Sequence, residues 1–462
     1  MKTYQDLLSI GMNEDARAAF VEAAVEEHRH SARYHVAADA EAYYAKRNVT
    51  MEKYRKVIIN ALGQTVPDIW SSNYKLTHSF FRRFILQQTQ YVLSNGVTFA
   101  NASTKKRLGN NFDNKIQELA KRALVDGVAF GFWNYDHLDV FSFADTPSEP
   151  GFVPLYDEES GLLCAGVRYW MPSEETKRWT LYEVDGYTDY IQAKNGATRV
   201  LNEKRAYIGT IRSTEACGVE EMEGTNYAAF PIIPMYANDL KESELVGIRA
   251  AIDCYDFIKS GMANNVDENS AFYWTLKNSG GMDDVDLVNF VQKMKQLHAV
   301  NLERDVEAEA HTLAIPVEAN KMLLDYLKDD LYADFMLVNT DKALAGDKTA
   351  TAIRLAYQPQ DDKCSDFEYC IRDFIARLLS LLGIDDMPSF KWNRVANQTE
   401  ETQMVMTAAQ YLDDEAVLKH LPWLTPEEVD DLIKRKAADD LERFNNGDGL
   451  FNNNFGGDNT EE

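Results

Sequence analysis

The chain has 462 residues, 45% hydrophobic and 26% charged, an ordinary globular composition long enough for two or three domains around at least one sizeable core. Its 48 Lys and Arg stand against 74 Asp and Glu, a formal net charge of −26. So acidic a chain does not grip phosphate over its whole surface, because binding by counterion release needs clustered cations. Two readings of the charge stay open: solubility of a cytoplasmic protein, or a wall past which DNA slides without being held.

Cys164, Cys217, Cys254, Cys364 and Cys370 are odd in number and scattered, with no Cys-x-x-Cys spacing. They read as reduced, mostly buried thiols of a reducing compartment. The N-terminal stretch MKTYQDLLSIGMNEDARAAF has no apolar run of the signal-peptide kind. No window approaches the roughly 18 uncharged apolar residues of a membrane span.

Residues 1 to about 62 read as a set of short, charged helices. A helix is predicted from Tyr74 to Tyr91, with Leu76, Phe80, Phe84, Gln87 and Tyr91 at spacings of three and four, stopped by Asn95-Gly96. Another is predicted from about Asn114 to Val128. The period then changes to short β-branched and aromatic runs, a β-rich block reaching residue 235, with a hairpin around Asn195-Gly196. From Glu244 to Asn265 an amphipathic helix is predicted, with Leu245, Ile248, Ile252, Tyr255 and Met262 on one stripe. A strand in SAFYWTLKN, a turn at Gly280-Gly281, a short helix from Asp284 and a further extended stretch follow. Helices are predicted over 318–338 and 352–382, and Pro359 inside the second predicts a kink or break near 355–359. Helices at 400–413 and 426–444, the latter opened by Thr425-Pro426-Glu427-Glu428, precede an Asn- and Gly-rich tail read as disordered.

Motifs that carry chemistry are scarce. AGDKT resembles the end of a phosphate-binding loop, but Asp347 separates Gly346 from Lys348 and position 341 is Asp. His28, His30 and His35 lie near each other in sequence, yet a helix turns His30 away from the other two, so a solvated helix face is the reading preferred over a metal site. Neighbouring carboxylates such as Asp283-Asp284, Asp329-Asp330 and Asp361-Asp362 diverge on helices. No catalytic residue, metal or cofactor is predicted.

The segment FPIIPMYANDLKESELVGIRAAIDCYDFIKSGMANNVDE resembles the stem-helix signature of portal proteins of long-tailed bacteriophages. Its Ile252, Asp253, Tyr255, Asp256 and later Ser260 match the core of that signature. ALVDGVAFGFWNYD is similar to the strand that opens the family's β-rich wing. The order of elements from 230 to 382 follows as well.

The resemblance implies an α+β, portal-like fold: a wing over 1–240, a stem helix over 241–270, a small α/β clip over 271–316 and a second stem helix over 317–338. It further implies a tunnel loop over 339–351, a long kinked wing helix over 352–385, a helical crown over 386–444 and a disordered tail over 445–462. It implies a ring of about twelve subunits at one capsid vertex, through which DNA is packaged and ejected and to which the tail is joined. The implied partners are other copies of the chain, double-stranded DNA bound non-specifically, the terminase motor, major capsid and scaffolding proteins and a head-tail adaptor, with no membrane. The implied location is the virion, after assembly in the host bacterial cytoplasm.

In the tunnel loop, Lys342 and Lys348 are the expected DNA contacts, with Asp341, Gly346 and Thr349 beside them, the acidic neighbours keeping contacts weak and salt-sensitive. The charges Lys241, Glu242, Glu244, Arg249, Asp253 and Lys259 flank the stripe at 244–265. Either these helices pack laterally in a ring and turn charge to the channel, or the stripe is an ordinary core-facing one. The alternatives to a portal are a soluble acidic α+β enzyme or binding protein, or another minor virion structural protein.

Overall fold

A computed structural model describes residues 2–59, 64–69, 71–173, 175–194, 196–213, 220–268, 272–277, 283, 285–286, 288–290, 307–312, 317–343, 350–393, 398–421, 424, 428–429, 431–436 and 438. The chain divides into two units, Met1–Asn393 and Arg394–Glu462.

The first unit opens with four helices: α1 (Tyr4–Ile10), α2 (Glu14–Arg29), α3 (Ala32–Tyr44) and α4 (Val49–Lys53). Each starts where a short polar side chain takes up a free backbone N–H: Thr3, Asn13, Ser31 and Asn48. Thr3 and Asp6 close a full capping box. A two-stranded ribbon follows, β1 (Val57–Ile59) with β2 (Thr65–Pro67), then α5 (Phe80–Leu93), β3 (Val97–Phe99), α6 (Ala102–Leu108) and α7 (Phe112–Asp126). Gly127 ends α7 in the left-handed region at φ 87°, where a Cβ would stand 2.8 Å from the backbone carbon of Glu242.

The β-rich block is an eight-stranded sheet. Its strands are β4 (Val128–Asn134), β5 (His137–Ser142), β6 (Gly151–Tyr156), β7 (Leu163–Ser173), β8 (Thr176–Glu183), β9 (Gly186–Ala193) and β10 (Arg199–Arg205), with β11 (Ile208–Ser213) and β12 (Glu220–Thr225) forming a separate hairpin before β13 (Ile232–Tyr236). The order is β10-β9-β8-β7-β6-β5-β4-β13, antiparallel except at β5 and β6, which meet in parallel through Ser142 and Gly151. The β9–β10 hairpin pairs Ile191 with Arg199; Asn195 itself lies outside the described residues.

Period-two alternation divides β4 between two cores. Ala129 and Trp133 join α5, α7 and the long C-proximal helix, while Val128, Phe130 and Phe132 join an aromatic layer with Phe141, Phe152 and Tyr182. Helices α1 and α2 bury Leu7, Phe20, Val21 and Ala24 against Val153, Val167 and Leu181 of the sheet.

After the sheet come α8 (Arg249–Glu268), the strand pair β14 (Phe272–Lys277) and β15 (Glu307–Thr312), α9 (Val317–Asp334), α10 (Ala350–Leu381) and β16 (Pro388–Phe390), which pairs with β3. The described residues between 285 and 290 are helical; Gly280 and Gly281 lie outside the described residues. In the second unit, α11 (Gln398–Ala408) passes into a 3-10 turn, and α12 (Asp414–His420) starts at Asp413, whose carboxylate accepts from the Ala416 N–H at 3.1 Å. Thr425, Pro426, Glu427 and the tail from 439 onward lie outside the described residues.

Several expectations are corrected. The helix placed at Tyr74 begins at Phe80, because residues 74–78 are extended and their backbone donors are bound elsewhere. The helix placed at Glu244 begins at Arg249: the Glu244 N–H is bound by Leu124 O at 3.1 Å and the chain turns through Leu245–Ile248 first. The helix placed over 318–338 stops at Asp334, where Met336 takes φ 58° and the Leu337 N–H returns to Tyr332 O at 3.0 Å.

No break occurs near 355–359. Helix α10 runs unbroken for 32 residues through Pro359, and Leu355, whose carbonyl loses its helical donor, sits on an exposed turn where water can replace it. Of the four described cysteines only Cys364 is buried, and Cys254 is exposed. His28 is not on a solvated face but wholly buried, its Nε2 3.0 Å from Phe143 O and its ring edge-on to Phe143; His30 and His35 are exposed.

Candidate functional site

Helices α8 and α9, joined across the β14–β15 pair, form a helical hairpin. The antiparallel register, Phe272 opposite Thr312 through Lys277 opposite Glu307, returns the chain to where it left. The predicted stripe splits along α8. Leu245, Ile248 and Ile252 are buried in the chain's own core, Tyr255 is half-buried with its ring edge-on to Phe80 at 4.9 Å, and Met262 is half-buried. Of the flanking charges, Glu244 meets Lys363 at 2.6 Å, Arg249 meets Asp39 at 2.7 Å, and Asp253 accepts from the Tyr43 hydroxyl. Burial, with the Asp253 carboxylate beside it, pushes the Tyr43 phenol up to about 12. Lys241 lies over the Tyr236 ring at 4.4 Å and Lys259 over Tyr255 at 5.8 Å.

A second face of α8 is polar and buried. Asp256, Ser260 and Asn264 recur every four residues and so stand in one row. Beside them residues 74–78 run extended in the opposite direction. Asn264 Oδ1 accepts from the Tyr74 N–H at 2.7 Å, Ser260 Oγ from the Leu76 N–H at 2.9 Å, and Asp256 Oδ1 from the His78 N–H at 3.1 Å.

The spacing explains the ladder. Four helical residues rise about 6 Å and two extended residues about 6.7 Å, so alternate donors meet successive turns. Asp256 also accepts from His78 Nδ1 at 2.7 Å and Asn48 Nδ2 at 2.9 Å. Burial raises its carboxyl above the ordinary value, and those donors work against that rise. The ladder was not anticipated from sequence, although Asp256 and Ser260 stand in the stem-helix signature; what the sequence also carries is a polar residue every fourth position on an amphipathic helix.

Past α9, Val338 is fixed by Gln360, whose Oε1 accepts from the Val338 N–H at 3.2 Å. Thr340–Ala343 is a single helical turn rather than open loop, containing Asp341 and Lys342. Lys342 forms an ion pair with Asp329 of α9. Gly346, Lys348 and Thr349 lie outside the described residues. Among the described residues no cluster of His, Cys, Asp and Glu could hold a metal, and no helix is long and apolar enough to cross a membrane.

The described residues thus form an α+β body carrying a helical hairpin that is held to it by a buried polar row. Residues 24–442 match the family described as phage portal protein, SPP1 Gp6-like. The chain belongs to this family: it is a phage portal protein and a component of the phage particle.

It is 23% identical over 447 residues to the portal protein of Clostridium phage phiCD119, covering 88% of this chain and 95% of that one. It is also 23% identical over 400 residues to the portal protein of Bacillus phage SPP1, covering 82% and 75%. Among solved structures it is similar to a chain in the neck of an empty gene transfer agent particle computed with C6 symmetry, at 12% identity and TM-score 0.41 over 75% of this chain and 90% of that one. A chain in the neck of the native particle computed with C12 symmetry gives 13% identity and TM-score 0.40 over 74% and 89%.

Proposed function

We propose that the chain works as one subunit of a ring of about twelve at a capsid vertex, with the α8–α9 hairpin as its stem and the β14–β15 insert as the clip that meets the packaging motor and later the head-tail adaptor. In this reading residues 1–240 form the wing, α10 completes it, and 386–444 form a crown inside the capsid. The ring passes double-stranded DNA in during packaging and out during ejection. Capsid and scaffolding proteins seat it, assembly takes place in the host cytoplasm, and the subunit carries no catalytic activity of its own.

The observation that carries this reading is the hairpin itself, two helices that leave and rejoin the body around a small β insert and are tied to it by the Asp256–Ser260–Asn264 ladder. The segment 339–351 is assigned to the channel, where Lys342 and Lys348 touch phosphates weakly while Asp341 and Asp347 limit the grip. The Lys342–Asp329 pair adds to that restraint, since a lysine already paired has less to offer a phosphate.

Negative-stain microscopy with native mass spectrometry on the purified protein tests the assembly: closed rings of about twelve support it, and monomers that stay single with capsid and scaffolding proteins present refute it. Lys342→Glu with Lys348→Glu tests the loop. Rings should persist while DNA filling falls, and normal filling would remove these residues from the channel.

A further inference from the structure

Two exposed patches on this chain differ in charge and lie on opposite sides of the α8–α9 hairpin. The first is a shoulder after α4. Residues 46–56 carry Lys46, Arg47, Lys53, Arg55 and Lys56 against Glu52 alone, in a chain whose overall balance is strongly acidic. Lys53, Tyr54 and Arg55 are exposed, Val57 and Ile58 follow them at the surface, and the Tyr54 ring stands edge-on at 5.5 Å to Phe257 of α8, itself half-exposed. Basic and large apolar side chains thus share one surface, with a shallow cleft between Tyr54, Cys254 and Phe257.

The second patch is the outer face of α9. That helix carries Glu318, Asp325, Asp329, Asp330 and Asp334 against Lys321 and Lys328. Leu324 and Leu331 are buried, so positions two residues away point about 200° from them, directly outward. Met322 and Tyr326 occupy those positions and are 57% and 60% exposed, with Asp325 and Asp330 exposed beside them.

The placement of the patches follows from α8. Tyr255 leads through Phe80 and Phe84 to Tyr332 of α9, ring against ring. Phe257, two residues on, is turned about 200° away and faces the shoulder. Helix α8 therefore separates the basic shoulder from α9.

Patches of opposite charge and shared apolar character on opposite sides of one chain cannot pair isologously. They suit a head-to-tail contact, which closes into a ring when its rotation closes. We propose that the shoulder of one subunit, Lys53, Tyr54, Arg55 and Phe257, receives the outer face of α9, Met322, Tyr326, Asp325 and Asp330, of a second copy of this chain. The proposal rests on the ring reading above and adds which surfaces close it.

The test compares wild type with Lys53→Glu/Arg55→Glu, with Asp325→Lys/Asp330→Lys, and with the chain carrying all four changes, by native mass spectrometry and electron microscopy at low and high salt, with circular dichroism confirming the fold of each. Each two-residue reversal should lower the ring fraction by about tenfold or more. The four-fold variant should restore rings, and so should an equal mixture of the two reversals, because alternation then pairs opposite charges at every contact. Rings formed equally by wild type and both reversals overturn the proposal while leaving the ring reading intact. Reversals that stay folded and monomeric without rescue in the four-fold variant also overturn it. A wild-type chain that stays monomeric throughout overturns the ring reading and the proposal together.

Discussion

His28 makes the stability of the N-terminal layer depend on pH in a direction the structure fixes. Its Nε2–H donates to Phe143 O at 3.0 Å, and Nδ1 is buried without a hydrogen-bond partner. A second proton would have to sit on Nδ1, desolvated, among Tyr34, Phe143 and Tyr169. Burial therefore lowers the imidazole from 6.5 to about 4, with Arg29 and Arg33 adding to the fall and Asp145 opposing it.

Between those two values the unfolded chain binds a proton that the folded chain refuses, so stability is unaffected above pH 6.5 and declines as pH falls toward about 4. At pH 5 the difference works out at about 2 kcal/mol, and it approaches about 3.4 kcal/mol below pH 4. Asp126, buried and pushed well above the ordinary carboxylate range, titrates with the opposite sign. The difference between wild type and His28→Gln isolates the histidine. Urea unfolding of both from pH 8 to pH 4, followed by tryptophan fluorescence, should show the wild type losing about 2 kcal/mol more than the variant between pH 8 and pH 5. Parallel curves would mean that His28 is accessible to protons in the native state, and the reasoning fails.

Ser260→Ala removes the acceptor of the Leu76 N–H at a position that is nearly solvent-free. Hydrogen exchange at Leu76 should speed up five- to thirtyfold, about 1–2 kcal/mol, and unchanged protection there would dismiss the ladder. Gly131→Ala places a Cβ 2.4 Å from Cζ of the fully buried Phe374, so it should cost about 1–3 kcal/mol in urea unfolding and be partly relieved by Phe374→Leu. Equal losses with and without the second change would show that α10 does not approach β4 this closely.

What was legible in the sequence is what local pattern controls. The strands of the sheet follow alternation and turn residues, and β9 pairs with β10 where Asn195-Gly196 predicts a hairpin. Helix α10 follows its repeat of Cys364, Phe367, Ile371, Phe374 and Leu378, which outweighs one proline. The failures sit where distant residues decide. Residues 74–79 have helical spacing, yet Asp256, Ser260 and Asn264 take their backbone donors from 178 to 190 positions away. Leu245 and Ile248 belong to the stripe by period, yet the chain turns there because Gly127 lets residues 241–243 approach the end of α7. His28 looked solvated because nothing local announces Phe143, 115 positions away.

The ladder also bears on how force leaves the hairpin. Each rung advances the extended strand about 0.7 Å further than the helix, so three rungs accumulate roughly 1.5 Å of mismatch and a fourth would fall outside hydrogen-bonding range. A ladder of this kind limits its own length. It ends at Asn264, beyond which Val266 is exposed, and it begins at Asp256, whose carboxylate is held by Asn48 at the start of α4 and by His78 just before α5. With Asp253 on Tyr43 and Arg249 on Asp39, both in α3, successive turns of α8 are bound to three separate N-terminal segments: α3, the start of α4 and residues 74–78. A pull along α8 from its C-terminal end is thus shared by those segments turn by turn, and α8 up to Asn264 moves with the body. The ladder itself ends at Asn264, so relative motion of the hairpin that leaves these three rungs intact falls to the residues after it.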